Sequence, residues 1–358
     1  MRILARALAS AGGADLAAAT DAALAARVPT TRREGRRFGA IEGFDGAWPE
    51  RLAALAKPLF ARLRDVSGLT DAQWQAMPLF LGSSSHFIGW AETSSLDALP
   101  LTSPAELSAH LADLAGLRAH PFCFGSACVA SLAALDAAVL ELASRRCQHA
   151  LVLGLELGNR YTREGFASLG LLGEDLCRPL DRDRDGLMLG EALAGLILSR
   201  ADGPGWRVSG RGWSMDASGP TAADLSGAPV AAAIAQALAR ANCPPEAISL
   251  IKLHGAGSPL TDGAELAGLR RVFKALPPCV SLKPVLGHCL GASGIAELNL
   301  ISSCLDRGEI PPTAGFVSAD PDLDLAPAAR QLWQGGAVLG VWLGFGGQTA
   351  ALVLESEP

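Results

Sequence analysis

An α/β fold with largely buried central sheets is predicted for this 358-residue chain by two observations. Short apolar, β-rich runs that end in small-residue turns alternate with alanine-rich stretches of helical spacing. The alternation also runs twice, with a similar rhythm on either side of residues 200–206, so 1–203 and 204–358 read as two similar halves. In the first half PLFLGSS (78–84) reads as strand and turn, and FCFGSAC (122–128) as a strand running into a turn. VASLAALDAAVLELAS (129–144) reads as a helix, and HALVLGLEL (149–157) and LAGLILS (193–199) as strands. In the second half AAAIAQALARA (231–241) reads as a helix, ISLIKLHG (248–255) as a strand, ASGIAELNLISSCL (292–305) as a helix, and AVLGVWLGF (337–345) and TAALVLE (349–355) as strands. The first 50 residues carry no clear element. Their arginines at 32, 33, 36 and 37 form either a loop facing an acidic partner or a solvated charged turn, the usual fate of such clusters.

Composition narrows the function classes. With 49% hydrophobic and 18% charged residues, the chain has too much apolar surface to remain disordered. No uncharged apolar run reaches the roughly 18 residues of a membrane span. The N-terminal MRILARALASAGG has the small-residue character of a leader, but Arg6 breaks its apolar core. A net charge of −6 disfavours an unaided nucleic-acid binder. The eight cysteines show neither a CxxC pair nor metal-ligand spacing, which favours a reducing cytoplasm and predicts no metal site.

Cys128 is the first candidate for chemistry. It stands where a buried-looking strand turns into a helix, so its thiol meets the helix N-terminus, where the dipole favours thiolate. Gly125, Ser126 and Ala127 allow a tight turn of the nucleophile-elbow kind. Its own N–H can donate into an oxyanion hole. His254 ends the strand ISLIKL and opens HGAGSPLTDGAE. His288 sits in KPVLGHCLGASG at the entry to another helix. The position of His254, at a strand's C-terminal end, points it into the crevice in which α/β sheets hold ligands.

Five segments, spread in order over roughly residues 80–355, resemble the β-ketoacyl-acyl carrier protein synthases of the thiolase superfamily. They are GSACVASLAAL (125–135), RPLDRDRDGLMLGEALAGLIL (178–198), HGAGSPLTDGAE (254–265), LKPVLGHCLGASGIAE (282–297) and GFGG (344–347). The resemblance implies two thiolase-type halves in five-layer α-β-α-β-α packing and an obligate dimer, with 122–128 near its interface. It implies that Cys128 takes an acyl chain from an acyl carrier protein. His254 and His288 would then hold the enolate formed when malonyl-acyl carrier protein loses carbon dioxide. The N–H groups of Cys128 and Phe345 would form the oxyanion hole. Lys283 would sit in a network with Asp262, Glu265 and Glu297. Phe166, Ser258 and Phe345 would line the substrate path, with Phe345 a candidate gate. No bound cofactor is expected, because the phosphopantetheine arrives on the carrier protein. Arg51 and Lys57 are candidate carrier contacts, with simple solvation the commoner fate.

The Cys-His-His set points within the resemblance to elongation. Starter synthases carry asparagine where His288 stands, and thiolases have a second cysteine where this chain has GFGGQT; Cys289 reads as core. Several positions depart from the family pattern. Ala256 and Ser258 replace two threonines, Leu343 replaces a phenylalanine, and Gln348-Thr349 replaces Thr-Asn. The chain is also shorter, near the N-terminus and between Trp90 and Pro104. These departures point away from the housekeeping fatty acid enzyme and toward a specialised fatty acid, aryl polyene or polyketide pathway. There the synthase is a homodimer or a heterodimer with a related subunit. A chain-length-factor-like subunit of low activity is the alternative expectation.

Overall fold

The computed structural model describes residues 1–33, 35–44, 46–94 and 101–357. Residues 95–100, within the shortened stretch between Trp90 and Pro104, lie outside the described residues. The ten strands of the main sheet are β1 (Arg2–Ser10), β2 (Leu79–Gly82), β3 (Phe122–Phe124), β4 (His149–Glu156), β5 (Ala192–Ser199), β6 (Gly205–Met215), β7 (Ile248–Lys252), β8 (Cys279–Val280), β9 (Ala337–Leu343) and β10 (Gln348–Glu357). The longer helices are α1 (Leu16–Leu24), α2 (Trp48–Ser67), α3 (Pro104–Ala115), α4 (Ala130–Ala143), α5 (Arg160–Ser168), α6 (Ala228–Ala241), α7 (Pro259–Val272) and α8 (Ser293–Asp306).

The strand order is β8-β7-β9-β10-β6-β1-β5-β4-β2-β3. Read outward from the middle, the first five strands run 1-5-4-2-3 and the last five run 6-10-9-7-8, the same order offset by five. The directions repeat as well. β1–β5 and β5–β4 are antiparallel while β4–β2 and β2–β3 are parallel. β6–β10 and β10–β9 are antiparallel while β9–β7 and β7–β8 are parallel. One residue pair, Arg2 with Arg207, joins the two sets.

Three apolar cores make this a layered thiolase fold. α2 and α3 cover the outer face of the first sheet through Leu52, Leu59, Leu107 and Leu111. α6 and α7 cover the second through Ile234, Leu238, Leu266 and Leu269. Between the sheets lie α4 and α8, with Leu132, Leu135, Ile295 and Leu298 in a core shared by both inner faces. α8 is buried along nearly its whole length, and several of its polar groups bond to neighbouring backbone. Asn299 Nδ2, for example, donates to Ala7 O at 3.0 Å and Gly195 O at 2.9 Å.

The strands and helices read from the alternating pattern are present within a few residues, but β1, β6 and α2 lay in stretches with no such reading. The leader-like N-terminus is β1, a strand lodged between β5 and β6. β6 buries every second residue, yet two of those are Gly210 and Gly212. A Cβ on Gly212 would lie 1.8 Å from Ala233 O, and one on Gly210 would lie 2.0 Å from Ala237 O. α6 therefore packs directly on the strand backbone, and the inward positions carry no apolar signal. The arginine-rich stretch forms a small hairpin, Thr31–Arg33 with Arg36–Phe38. Arg32 and Arg33 are exposed, while Arg37 meets Asp175 at 2.6 Å.

Gly212→Ala is expected to destabilise the chain by about 2–4 kcal/mol, since strand and helix backbones must separate. Urea denaturation would measure this, with Gly263→Ala, where an added Cβ meets open space, as a control of small effect.

Candidate active site

The turn between β3 and α4 places Cys128. Ala127 has φ of +43°, a strained conformation for a residue with a side chain, followed by a single 3₁₀ turn, Ala127–Val129. The second half repeats the device. Leu290 has φ of +40° and opens the 3₁₀ turn Leu290–Ala292 ahead of α8. His288 lies just before that second elbow. His254 lies two residues beyond β7.

These residues line one narrow cavity of about 60 Å³, together with Phe166, Ser258, Thr261, Phe345 and Thr349. Cys128 is 5% exposed, His254 4% and His288 3%. The two imidazole rings stand perpendicular, 5.5 Å between centroids. Leu343 N–H donates to His254 Nδ1 at 3.2 Å, which leaves the ring hydrogen on Nε2. His288 Nδ1 meets Ser293 Oγ at 3.1 Å, and a hydroxyl donating there leaves Nε2 as the donor. Backbone bonds fix the His288 turn: its N–H donates to Met188 O at 2.6 Å and its carbonyl accepts from Gly190 at 3.0 Å. Phe166 on α5 stacks on Phe345, 5.4 Å between centroids and 17° between planes. A larger cavity of about 570 Å³, beside β1, α1 and α2, lies elsewhere and holds no cysteine or imidazole.

Burial dominates the electrostatics. Both imidazoles are pushed well below the usual histidine range by burial, then by Lys283 and Lys252, so both are neutral. The helix N-terminus does not make Cys128 a thiolate, contrary to the sequence expectation. Burial pushes its thiol up to about 11, outweighing the Phe345 N–H, Lys283 and its own N–H, which favour the anion. Cys289 is fully buried, as its core reading predicts.

The expected four-residue network divides in two. Lys283 Nζ meets Glu297 Oε1 at 2.6 Å, but Asp262 and Glu265 bond to backbone instead. Glu265 accepts from the N–H groups of His254 at 2.6 Å and Gly255 at 2.9 Å, and so holds the His254 turn. Asp262 accepts from Ala256, Gly257 and Leu180. Burial raises Asp262 to about 6 and Glu265 to about 7. Those two carboxylates are needed by an irregular loop with unpaired N–H groups, a demand that sequence spacing does not express. Arg51 is also placed differently from the carrier-contact expectation. It grips Glu191 at 2.5 and 2.6 Å, and Glu191 accepts from Ile41 and Gly158, an interior staple. Lys57 is exposed.

Three residues were missed from sequence. Glu156 ends β4, is 2% exposed, and accepts from the N–H groups of Ser84, Ser85 and Gly291. Lys252 ends β7 and bonds Glu297 Oε2 at 2.5 Å. A lysine inside ISLIKL, two positions before His254, was the available signal. Thr261 presents a buried Oγ1 without a partner in the cavity wall.

The model of the beta-ketoacyl synthase N-terminal domain matches residues 66–203, and that of its C-terminal domain matches 207–317. Nodulation protein E of Rhizobium leguminosarum bv. trifolii is 31% identical over 241 residues, 64% of this chain and 60% of that relative's length. The tetracenomycin polyketide synthase ketoacyl synthase alpha subunit of Streptomyces glaucescens is 34% identical over 189 residues, 49% of this chain and 44% of that one. Among solved structures, the ketosynthase ApeO in complex with its chain length factor ApeC, from Xenorhabdus doucetiae, is similar at a TM-score of 0.85 and 25% identity, covering 99% of this chain and 98% of that one. With both domain models in order along a thiolase-fold chain, this protein belongs to the beta-ketoacyl synthase family.

Proposed function

We propose that the chain catalyses decarboxylative Claisen condensation, joining an acyl group held on Cys128 to malonyl-acyl carrier protein in a specialised fatty acid, aryl polyene or polyketide pathway. The observation that carries this reading is a cysteine on a strained elbow that shares one narrow cavity with two neutral imidazoles. Cys128 Sγ attacks the carbonyl carbon of the acyl thioester. The N–H groups of Cys128 and Phe345 hold the oxyanion. The pantetheine sulfur leaves and takes up the proton that Cys128 gives up. Malonyl thioester then enters, its carboxylate departs as carbon dioxide, and the bonding pair becomes an enolate. Its oxygen accepts from His254 and His288. A neutral donor suits this role, because an imidazolium would give up its proton to the enolate and quench it. The enolate carbon attacks the Cys128 thioester, the carbon–sulfur bond breaks with its pair going to sulfur, the thiolate takes a proton from solvent, and the β-ketoacyl chain leaves on the carrier protein.

The phosphopantetheine arm would cross the mouth formed by Ser258 and Thr261. Thr261 Oγ1 has no protein partner among the described residues, so it can take the hydrogen bond for which Ala256 lacks a hydroxyl. A second copy or a related subunit would pair with β3, the outermost strand, whose Phe122 is 38% exposed. A cytoplasmic setting belongs to the same reading. Deep burial of the thiol favours a second reading, a chain-length-factor-like subunit of low activity.

Intact-protein mass spectrometry with short and medium acyl carrier proteins, then malonyl carrier protein, separates the two readings. A Cys128-dependent adduct that turns over to a β-ketoacyl product is expected, and is lost in Cys128→Ala. A folded protein that takes no chain would favour the partner-subunit reading. His254→Ala should slow malonyl decarboxylation by about 10²–10³-fold. Thr261→Val should raise KM for pantetheine thioesters about 3–10-fold at unchanged kcat, one hydrogen bond's worth. For a thiol near 11, the thiolate fraction rises tenfold per pH unit below that value. Iodoacetamide labelling of Cys128 should therefore still be climbing between pH 8 and 10.

A further inference from the structure

Glu297 is shared between two buried lysines, one on each carboxylate oxygen: Lys283 at 2.6 Å and Lys252 at 2.5 Å. All three side chains are at most 1% exposed. The mechanism above gives neither lysine a step. Lys252 is nevertheless fully coordinated. Beyond Glu297 its ammonium donates to Val341 O at 2.9 Å and lies 3.7 Å from the centre of the Trp342 ring. Those contacts tie together the elements that carry the site. Lys252 precedes His254 by two residues. Val341 and Trp342 precede Leu343, whose N–H sets the His254 tautomer, and Phe345, the oxyanion donor. Glu297 lies on α8, behind the His288 elbow.

We propose that Lys252 is a positioning residue for the condensation. Through Glu297 it fixes Lys283, and with Lys283 it leaves one excess positive charge behind the two imidazoles, which keeps them neutral. The inference rests on the condensing-enzyme reading. Two cations against one anion in a dry site repel a third positive charge, and a protonated imidazole would be that third charge. The titratable groups around the cluster are Glu297, Lys283, Glu265, His254 and His288, with Glu156, Cys128 and Cys289 nearby. Lys252 and Lys283 both depress His254 and His288. Burial draws Lys252 itself down to about 7, against the pull of Glu297. The excess charge therefore weakens as pH rises past neutrality, while its effect on the imidazoles is wanted on the acid side, where Lys252 is an ammonium.

The test compares Lys252→Met and Lys252→Gln with the parent in the full chain, assayed with its partner subunit if activity requires one. Two quantities are read. The first is the pH profile of malonyl decarboxylation. The second, independent of turnover, is titration of the His254 and His288 imidazole resonances by NMR in labelled protein. Removal of the cation lets the imidazoles bind protons more tightly, so their protonation constant should rise on the order of tenfold, one pKa unit. The acid limb of decarboxylation should move to higher pH by a similar amount, and kcat below neutrality should fall with KM unchanged. Unchanged imidazole titration in a folded variant overturns the proposal, as does failure of both variants to fold, which would make Lys252 structural only. If the parent shows no decarboxylation, the condensing reading fails, and the imidazole titration still decides whether Lys252 sets their charge.

Discussion

A single buried carboxylate gathers the two halves at the point where they form a site. Glu156 leaves the end of β4 and takes hydrogen bonds from Ser84 and Ser85 of the first half and from Gly291 of the second. Elbows expose backbone N–H groups that no ladder can use, and a buried donor without an acceptor is costly. Glu156 supplies the acceptors for both halves at once. α4 and α8 then start side by side, with Ser131 Oγ accepting from the N–H of Ile295 at 3.3 Å. The carboxylate holds the elbow after His288 directly, through Gly291, and reaches the Cys128 elbow through Ser84, whose Oγ donates to Ala127 O at 2.8 Å.

Desolvation gives the site its resting state. It holds the thiol protonated and the imidazoles neutral, so the three groups that line the cavity carry no charge. Charge is kept behind them, where Glu297 is drawn down by its two lysines against the upward push of burial. The aqueous intuition that a helix N-terminus yields a thiolate fails here because the dipole is a modest effect beside full burial.

Much of the fold was legible because the parallel strands of both halves are apolar on both faces. Their runs stand out, and so do the small-residue turns that follow them. β1 and β6 were not legible. β6 faces its helix with glycine, and β1 carries Arg2 and Arg6 in a strand that pairs on both sides. At the site, Cys128, His254, His288 and the Lys283–Glu297 pair could be read from motifs. Asp262 and Glu265 could be read as important but not for what they touch, since loop N–H groups leave no trace in sequence. Glu156 looks like any strand-terminal glutamate, and its value appears only when the second half folds against it.

The repeated elbow has an evolutionary consequence. If the halves descend from one duplicated unit, Gly291 occupies the position that Cys128 holds in the first half. A Cβ there would lie 2.5 Å from Ser84 N and 2.7 Å from the Ser83 carbonyl carbon. Position 291 has no room for a side chain, so the second elbow cannot gain a nucleophile there by point mutation without displacing the Ser83–Ser84 backbone. On that descent, one copy keeps a thiol at its elbow and the other only backbone. Divergence within such a lineage is confined to the histidines, the cavity walls and the charges behind them.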